Sequence, residues 1–244
     1  MSDRPLRLFV LDLETVRNAL PWTPPVSRPD AFPPPPCWDI VCIGGLLLTA
    51  SRGAEGQWSA TAKLKIVEAT SPAAAVQIVD RIAETATLVT FNGRGFDLPV
   101  MEAAILADPT ASAPRLFRKR VRGRYDDGHQ DVADYLTNHG ATSPVSLDLW
   151  CRSVGLAGKG DTGGSDVAAM HAAGRIAEIN AYCLSDVAQT GLLFLDTVRA
   201  AGELSAEAVA ALEGATWEAV VSHGDALRWV TRCPRFERWS KERA

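Results

Sequence analysis

The chain has 244 residues with 25 basic and 29 acidic side chains, and its net charge of −4 excludes a protein that coats nucleic acid through bulk positive charge. Its apolar content of 47% and charged content of 22% are typical of one large α/β domain or a domain with an appendage. No signal-peptide pattern and no bilayer-length apolar stretch is present, and the five cysteines form no CxxC pair. We therefore expect a cytoplasmic protein with reduced thiols and no membrane contact.

Strand signals dominate the first part of the chain, and they occur at residues 6–13, 40–48, 58–67 and 87–91. Residues 21–36 hold eight of the fifteen prolines, which predicts a loop because proline fits neither a helix interior nor a central strand. Ser71 followed by Pro72 is typical of a helix start, and the alanine-rich segment after it predicts a helix to about Ala86.

Helical spacing dominates the second part, at residues 96–107, 146–154, 166–171 and 176–198. The tail, residues 204–239, predicts two further helices. The basic segment 115–124 is expected to be a loop or a poorly formed helix end, and glycines make residues 155–164 a loop. Early strands followed by helices favour an α/β fold with a mixed sheet flanked by helices.

Two acids end the first predicted strand. Because side chains alternate along a strand, Asp12 and Glu14 share one face. A solvated strand end is the simple alternative for such a pair. The buried approach through Val10 and Leu11 favours a site, since α/β sheets place ligands at the carboxyl ends of their strands.

A third acid follows a turn in the middle of the chain. Asn92 ends a predicted strand, two glycines follow, and Phe96 and Asp97 open a helix. In one interpretation Asp97 is an ordinary helix cap that accepts free backbone N–H groups. A metal-binding role requires instead that this helix lie near the end of the first strand.

The last pair lies on the longest predicted helix, where Tyr182 and Asp186 are four residues apart and therefore share a face. If the three segments meet, four carboxylates and a phenol surround one small volume. Like charges at that range drive each other toward protonation unless cations are present. Carboxylates suit hard cations, so the sequence predicts two Mg²⁺ or Mn²⁺ ions.

The order of the three segments resembles the three motifs of the Asp-Glu-Asp-Asp superfamily of 3′–5′ exonucleases. The chain is more particularly similar to bacterial predicted exonucleases that resemble the proofreading domain of B-family DNA polymerases. Ala181 stands where another branch has histidine, which indicates the tyrosine, or DEDDy, subtype. Further matching stretches are His-Gln-Asp at 129–131, Ser-Leu-Asp at 146–148, Gly-Leu-Ala-Gly-Lys at 155–159 and Gly-Ser-Asp-Val at 164–167. The resemblance spans about residues 6–204.

This resemblance implies a ribonuclease H-like fold and a role for each matching residue. Asp12 would bridge the two metals, while Glu14 and Asp186 would help to hold the ion that activates water. Asp97 would serve the other ion, partly through water. Tyr182 would orient the attacking water by hydrogen bonding, since its ordinary pKa near 10 does not suit a base.

Five residues are expected to contact the substrate. Lys159 lies in the glycine-rich loop, with a surface lysine as the alternative, and Asn92 and Phe96 would flank the terminal nucleotide, with core packing as the competing use of Phe96. Arg118 and Arg120 represent the basic segment, for which a solvated surface is the alternative and phosphate contact the favoured role.

The sequence thus predicts a metal-dependent 3′–5′ exonuclease acting on single-stranded nucleic acid, DNA rather than RNA. The alternatives are an RNase or oligonucleotide phosphodiesterase, or a catalytically silent nucleic-acid-binding module. Residues 1–204 are expected to form the exonuclease domain. Residues 205–244 are expected to be a helical extension packed on it, offering a surface for a homodimer or a protein partner.

Overall fold

The computed structural model of the chain describes residues 5–118, 121, 123, 124, 128–160 and 163–243. The strands are β1 (Leu6–Arg17), β2 (Trp38–Arg52), β3 (Trp58–Ile66), β4 (Thr87–Thr90) and β5 (His129–Asp131). The helices are α1 (Pro72–Ile82), α2 (Asp97–Leu106), α3 (Val132–Leu136), α4 (Leu147–Ser153), α5 (Val167–Ala172), α6 (Ile176–Ala200), α7 (Ala206–Ser222) and α8 (Pro234–Lys241).

The five strands form one mixed sheet in the order β3-β2-β1-β4-β5. Strands β1, β2 and β3 are antiparallel neighbours, whereas β4 runs parallel to β1 and β5 runs parallel to β4. Helices cover both faces of this sheet. The predicted α/β class, a ribonuclease H-like mixed sheet flanked by helices, is confirmed.

Strand β1 lies at the centre and divides its side chains between two cores. Leu8 and Val10 pack with residues of α6 and α7, whereas Leu11 and Leu13 pack on the opposite face with residues of α1 and α2. The alternation expected of a strand therefore holds along β1. Asp12 occupies the next position on the α6 face of the strand.

Helix α6 lies unusually close to β2 because its contact points are small. A Cβ added to Gly44 would lie 2.7 Å from the Sγ atom of Cys183 and 2.9 Å from Cγ2 of Val187. A Cβ added to Gly191 would lie 3.0 Å from Cδ2 of Leu46. Since Gly44 pairs with Asp12 in the sheet, the closest approach of α6 falls beside that acid.

Most predicted elements are present, with shifted ends. Ser71 caps α1 by accepting a hydrogen bond from Ala74 N at 3.1 Å, as expected, although the helix ends at Ile82 rather than near Ala86. The proline-rich segment has no strand and only a short 3₁₀ turn at Pro35–Cys37. Strand β5 was not predicted, because it has only three residues and none of them is apolar.

The tail contains the two predicted helices, α7 and α8, with a 3₁₀ turn between them. Helix α7 packs against β3 and α6. Trp217 is fully buried and contacts the rings of Phe236 and Trp239, with ring centroids 5.3 and 6.4 Å away. Of the basic segment, residues 119, 120 and 122 lie outside the described residues. Within the described part of the chain, no helix has both the length and the apolar character needed to span a bilayer.

Replacing Gly44 by alanine is expected to destabilise the protein by about 1–3 kcal/mol, because the new methyl group forces α6 away from β2. Chemical denaturation measures this change. Gly164→Ala is the matched control, since a Cβ there meets no atom within 4 Å. Equal denaturation midpoints for the two variants would contradict the close approach of α6 to β2.

Candidate functional site

The site begins with the two acids of β1. Asp12 and Glu14 face α6, and their partners across the sheet are Gly44 and Cys42. Glu14 is buried and Asp12 partly buried. One carboxylate oxygen from each acid and the Sγ atom of Cys183 all lie within 4.8 Å of one another. The two-residue period predicted for this pair is thus observed, and α6 supplies the third neighbour.

Asp97 reaches the same strand from the opposite layer. It is the first residue of α2, and Phe96 holds the N-cap position without a side-chain hydrogen bond. The Asp97 Oδ1 atom accepts a hydrogen bond from Leu13 N at 3.1 Å, so its carboxylate lies between Asp12 and Glu14 along the backbone of β1. Phe96 rather than Asp97 thus holds the N-cap position, and the Asp97 carboxylate contacts the backbone of β1.

The turn that delivers Asp97 is held by Asp131, at the end of β5. Asp131 Oδ1 and Oδ2 accept hydrogen bonds from Asn92 N and Arg94 N, each at 2.8 Å. Asn92 adopts a positive φ of 63°, a conformation that asparagine tolerates better than most residues. Asp131 thus fixes the turn that leads from β4 into α2. In the sequence, residues 129–131 were recognised as a stretch that resembles the family, and the contacts of Asp131 were not predicted.

Helix α6 contributes Tyr182 and Asp186, which are both buried and share the face expected from their spacing. Lys159 Nζ donates a hydrogen bond to Tyr182 Oη at 2.5 Å and lies 3.9 Å from Asp186 Oδ2. The Asp186 Oδ1 atom is buried and has no hydrogen-bond partner among the described residues. A buried carboxylate oxygen without a partner is free to bind a cation.

The backbone around Lys159 is held on both sides. Lys159 N donates to Asp148 Oδ1 at 2.6 Å, and Arg152 Nη2 donates to Lys159 O at 2.9 Å. The side-chain amide of Gln189, on α6, accepts from Gly158 N at 2.7 Å and donates to Gly158 O at 2.8 Å. The glycine-rich loop is therefore fixed to α6, which places the Lys159 ammonium group among the acids.

Burial and mutual repulsion disfavour negative charge at the site. Burial, followed by the charges of Asp97, Glu14 and Asp186, holds the pKa of Asp12 well above its usual range. Burial, with repulsion from Asp186, raises the pKa of Glu14 to about 9. Burial also raises the pKa of Asp97 to about 7 and that of Asp186 to about 6. The repulsion shows that the four acids share one electrostatic environment.

The Tyr182 hydroxyl and the Cys183 thiol of the site are neutral. Burial, followed by repulsion from Asp186, raises the pKa of Tyr182, so its hydroxyl stays protonated. Cys183 Sγ lies 3.5 Å from the backbone oxygen and 3.8 Å from Oδ2 of Asp12. A hydrogen bond with Cys42, followed by burial, raises the pKa of Cys183. Sequence reasoning missed both cysteines of the site, although Cys183 follows Tyr182 directly. All five cysteines are free.

The predicted substrate-binding residues differ in their placement. Lys159 joins the acids, and Asn92 is exposed on the turn before α2. Phe96 packs in an aromatic cluster with Phe32 and Trp38. Arg118 is exposed, and Arg120 lies outside the described residues.

A ribonuclease H-like sheet with four acids between β1, α2 and α6 defines the class of protein to which the chain belongs. A model of the family described as predicted 3′-5′ exonucleases related to the exonuclease domain of PolB matches residues 56–231, and the chain belongs to this family. The matched segment includes Asp97, Lys159, Tyr182 and Asp186, and β1 precedes it. No curated protein matches the chain.

The metal-free protein is expected to lose stability as the pH rises from 5 to 9. Glu14 keeps its proton in the folded state up to a pKa of about 9 but loses it near 4.5 when unfolded, so the folded state binds more protons in this interval. Glu14→Gln removes that contribution. Its melting temperature in a chelator at pH 9 should exceed that of the wild type by at least about 2–4 °C, the shift produced by about 1 kcal/mol.

At pH 5 the two proteins should melt together, because Glu14 is then protonated in the folded wild type. The exposed Glu55→Gln variant is the control and should follow the wild type at every pH. A constant offset between Glu14→Gln and the wild type across the range would contradict the raised pKa of Glu14.

Proposed function

We propose that the protein hydrolyses single-stranded DNA from its 3′ end by a two-metal mechanism that uses Mg²⁺ or Mn²⁺. The observation that carries this proposal is the meeting of Asp12, Glu14, Asp97 and Asp186, which come from three separate elements and repel one another. Membership of a predicted 3′-5′ exonuclease family supports the direction of attack. Family membership alone would equally allow a catalytically silent nucleic-acid-binding module. The complete set of four acids argues against that alternative.

The residues present fit two divalent ions. The donors are carboxylate oxygens, which hard cations prefer, and Asp186 Oδ1 is buried without a hydrogen-bond partner in the described part of the chain. Asp12, Glu14, Asp97 and Asp186 would hold the ions. In phosphodiester hydrolysis such ions supply activation of water and stabilisation of charge on the leaving 3′ oxygen.

Tyr182 and Lys159 would act directly on the reacting groups. The Tyr182 hydroxyl stays protonated, so it would orient the attacking water by hydrogen bonding rather than remove its proton. Lys159 Nζ, 2.5 Å from Tyr182 Oη, would hold that hydroxyl in place and contact the scissile phosphate. The backbone contacts around Lys159 limit the movement needed for both tasks.

The remaining proposed substrate contacts lie before Asp97 and in the basic segment. Asn92 and Phe96 lie on the turn that leads into Asp97 and would contact the terminal nucleotide. Arg118 and Arg120 would bind phosphates further along the strand. DNA is the proposed polymer because the family is related to the exonuclease domain of PolB. An RNA strand offers the same phosphodiester bonds, so matched DNA and RNA strands must be compared in the assay below.

A 5′-labelled single-stranded DNA incubated with Mg²⁺ or Mn²⁺ should shorten stepwise from its 3′ end. Asp12→Asn and Asp186→Asn should each lower the rate at least about 100-fold, more than the roughly 10–100-fold typical of losing a group behind a metal ligand. Gel electrophoresis of timed samples measures the rates, and thermal melting checks that both variants are folded.

Asp225→Asn is the control for this assay, because Asp225 is an exposed acid with 95% of its side chain accessible. It should retain the wild-type rate. Shortening from the 5′ end, or full activity in either site variant, would overturn the proposal. Faster cleavage of the matched RNA strand would replace DNA by RNA as the substrate.

Lys159→Met is expected to separate metal binding from catalysis. Removing the ammonium group 3.9 Å from Asp186 removes a charge that competes with cations, so Mn²⁺ should bind more tightly, by up to about tenfold. The value of kcat should nevertheless fall by at least about tenfold, since Tyr182 loses the donor that holds its hydroxyl.

Calorimetric titration with Mn²⁺ measures the affinity, and the exonuclease assay gives kcat. Lys65→Met, an exposed change on β3, is the matched control and should alter neither quantity. Weaker Mn²⁺ binding by Lys159→Met would contradict the position of Lys159 as a competing cation, and an unchanged kcat would contradict its role beside Tyr182.

A further inference from the structure

An aromatic cluster stands at the edge of the acid site and includes a residue of the proline-rich loop. The rings of Phe32 and Trp38 are stacked, with centroids 4.8 Å apart and an interplanar angle of 15°. Phe96 meets both rings edge-on, with centroids 5.7 Å from Phe32 and 5.8 Å from Trp38. One stacked pair combined with two edge-on contacts is a favourable arrangement of aromatic rings.

Phe32 is the outermost ring of the cluster. It remains 66% exposed, although Trp38 covers one of its faces and Phe96 touches it from the side. An aromatic ring held on one face and exposed elsewhere keeps a flat apolar surface toward solvent. Leaving that surface in water forgoes the free energy that burial would provide, so a ligand with a matching flat face is favoured there.

The loop that carries Phe32 is fixed despite its lack of regular structure. Trp38 Nε1 donates a hydrogen bond to Pro33 O at 2.9 Å, which ties the ring to the residue after Phe32. At the base of the loop, Asn18 Nδ2 donates to Pro36 O at 2.9 Å and to Asp39 Oδ1 at 3.2 Å. Prolines also restrict the backbone between these contacts. The Phe32 ring is therefore positioned before any ligand binds.

The cluster is continuous with the proposed catalytic site. Phe96 directly precedes Asp97, whose carboxylate accepts a hydrogen bond from β1. Trp38 pairs across the sheet with Arg17, three residues beyond Glu14, or roughly 10 Å along the strand at about 3.3 Å per residue. A strand whose 3′ end lies among the acids thus has its neighbouring nucleotides within reach of the cluster.

The chemistry of this surface suits unpaired bases. A ring face stacks on any base without sequence preference, whereas the base faces inside a duplex are already covered by their neighbours. Arg17, the last residue of β1, pairs with Trp38, and its guanidinium lies 5.7 Å from the centroid of the Trp22 ring on the proline-rich loop. It therefore adds a positive charge near the aromatic cluster. Aromatic faces with nearby cations are typical of sites for single-stranded nucleic acid.

We propose that the exposed face of Phe32, supported by Trp38 and Phe96, stacks on an unpaired base of the substrate near its 3′ end. The inference rests on the proposed function and assigns a substrate contact to the proline-rich loop. The same contact would favour single strands over duplexes, because only an unpaired base can present a free face to Phe32.

The test is a binding experiment with Ca²⁺ in place of Mg²⁺, in which fluorescence anisotropy follows 5′-labelled DNA strands. Each strand has one abasic position, moved in steps from the first to the fifth nucleotide from the 3′ end. For the wild type, one of these positions should weaken binding by about tenfold, the typical effect of losing one stacked base. Phe32→Ala should weaken binding of the intact strand by a similar factor and should abolish the sensitivity to that position.

Phe32→Tyr keeps the ring and should restore wild-type binding. Tyr135→Ala, which removes another exposed aromatic residue on α3, is the control and should bind as the wild type does. The inference would be overturned if the Phe32→Ala variant bound every strand with wild-type affinity. It would also be overturned if this variant kept the full sensitivity to the abasic position. If the inference fails in this way but the wild type degrades the strands in Mg²⁺, the proposed function stands without the Phe32 contact. If the wild type neither binds nor degrades any strand, both fail.

Discussion

The rest of the site depends on the close packing of α6 against the centre of the sheet. Because Gly44 has no side chain, Cys183 and Val187 of α6 lie directly against the backbone of β2. Gly191 likewise lets Leu46 and Val10 of the strands lie directly against α6. This approach brings Asp186 and Tyr182 to the face of β1 that carries Asp12 and Glu14. Strand β2 extends beyond the site, and its antiparallel pairing with β1 fixes Gly44 beside Asp12. Gly44 therefore helps to set the distance between α6 and the acids of β1.

That packing has an electrostatic consequence. Burial raises the pKa of each of the four acids, and repulsion by the other site acids raises the pKa of Asp12 and Glu14 further. The metal-free site therefore opposes the charged state of these acids. Lys159 offsets part of this repulsion, since its charge lowers the pKa of Glu14 and of Asp186. Bound ions would do the same more completely. If the site binds cations as proposed, the stability of the fold and cation binding are linked, and both depend on pH.

Local patterns in the sequence predicted those residue pairs of the site that lie within a single strand or helix. The two-residue period of a strand placed Asp12 and Glu14 on one face, and helical spacing did the same for Tyr182 and Asp186. Contacts between distant elements were beyond such patterns. The hydrogen bond from Leu13 N to Asp97 depends on how α2 crosses the end of β1, and no periodicity encodes it.

The same reason explains what was missed around the site. The contacts of Lys159 arise from a loop fixed by Asp148 and Gln189, residues 11 and 30 positions away in sequence. Strand β5 has three residues, too few for a period to emerge, yet its Asp131 holds the turn before α2. The proline-rich loop was predicted to be irregular, which is correct, but its stacking on Trp38 needed the tertiary structure.

The proposed function requires that the four acids form one site for two divalent ions. Anomalous X-ray diffraction from crystals soaked with Mn²⁺ and a nucleoside 5′-monophosphate tests it most directly. We expect two anomalous peaks enclosed by Asp12, Glu14, Asp97 and Asp186, with Asp12 in contact with both, and a phosphate beside them. Ordered nucleotide with no peak among these acids, or manganese bound only elsewhere on the protein, would contradict the account.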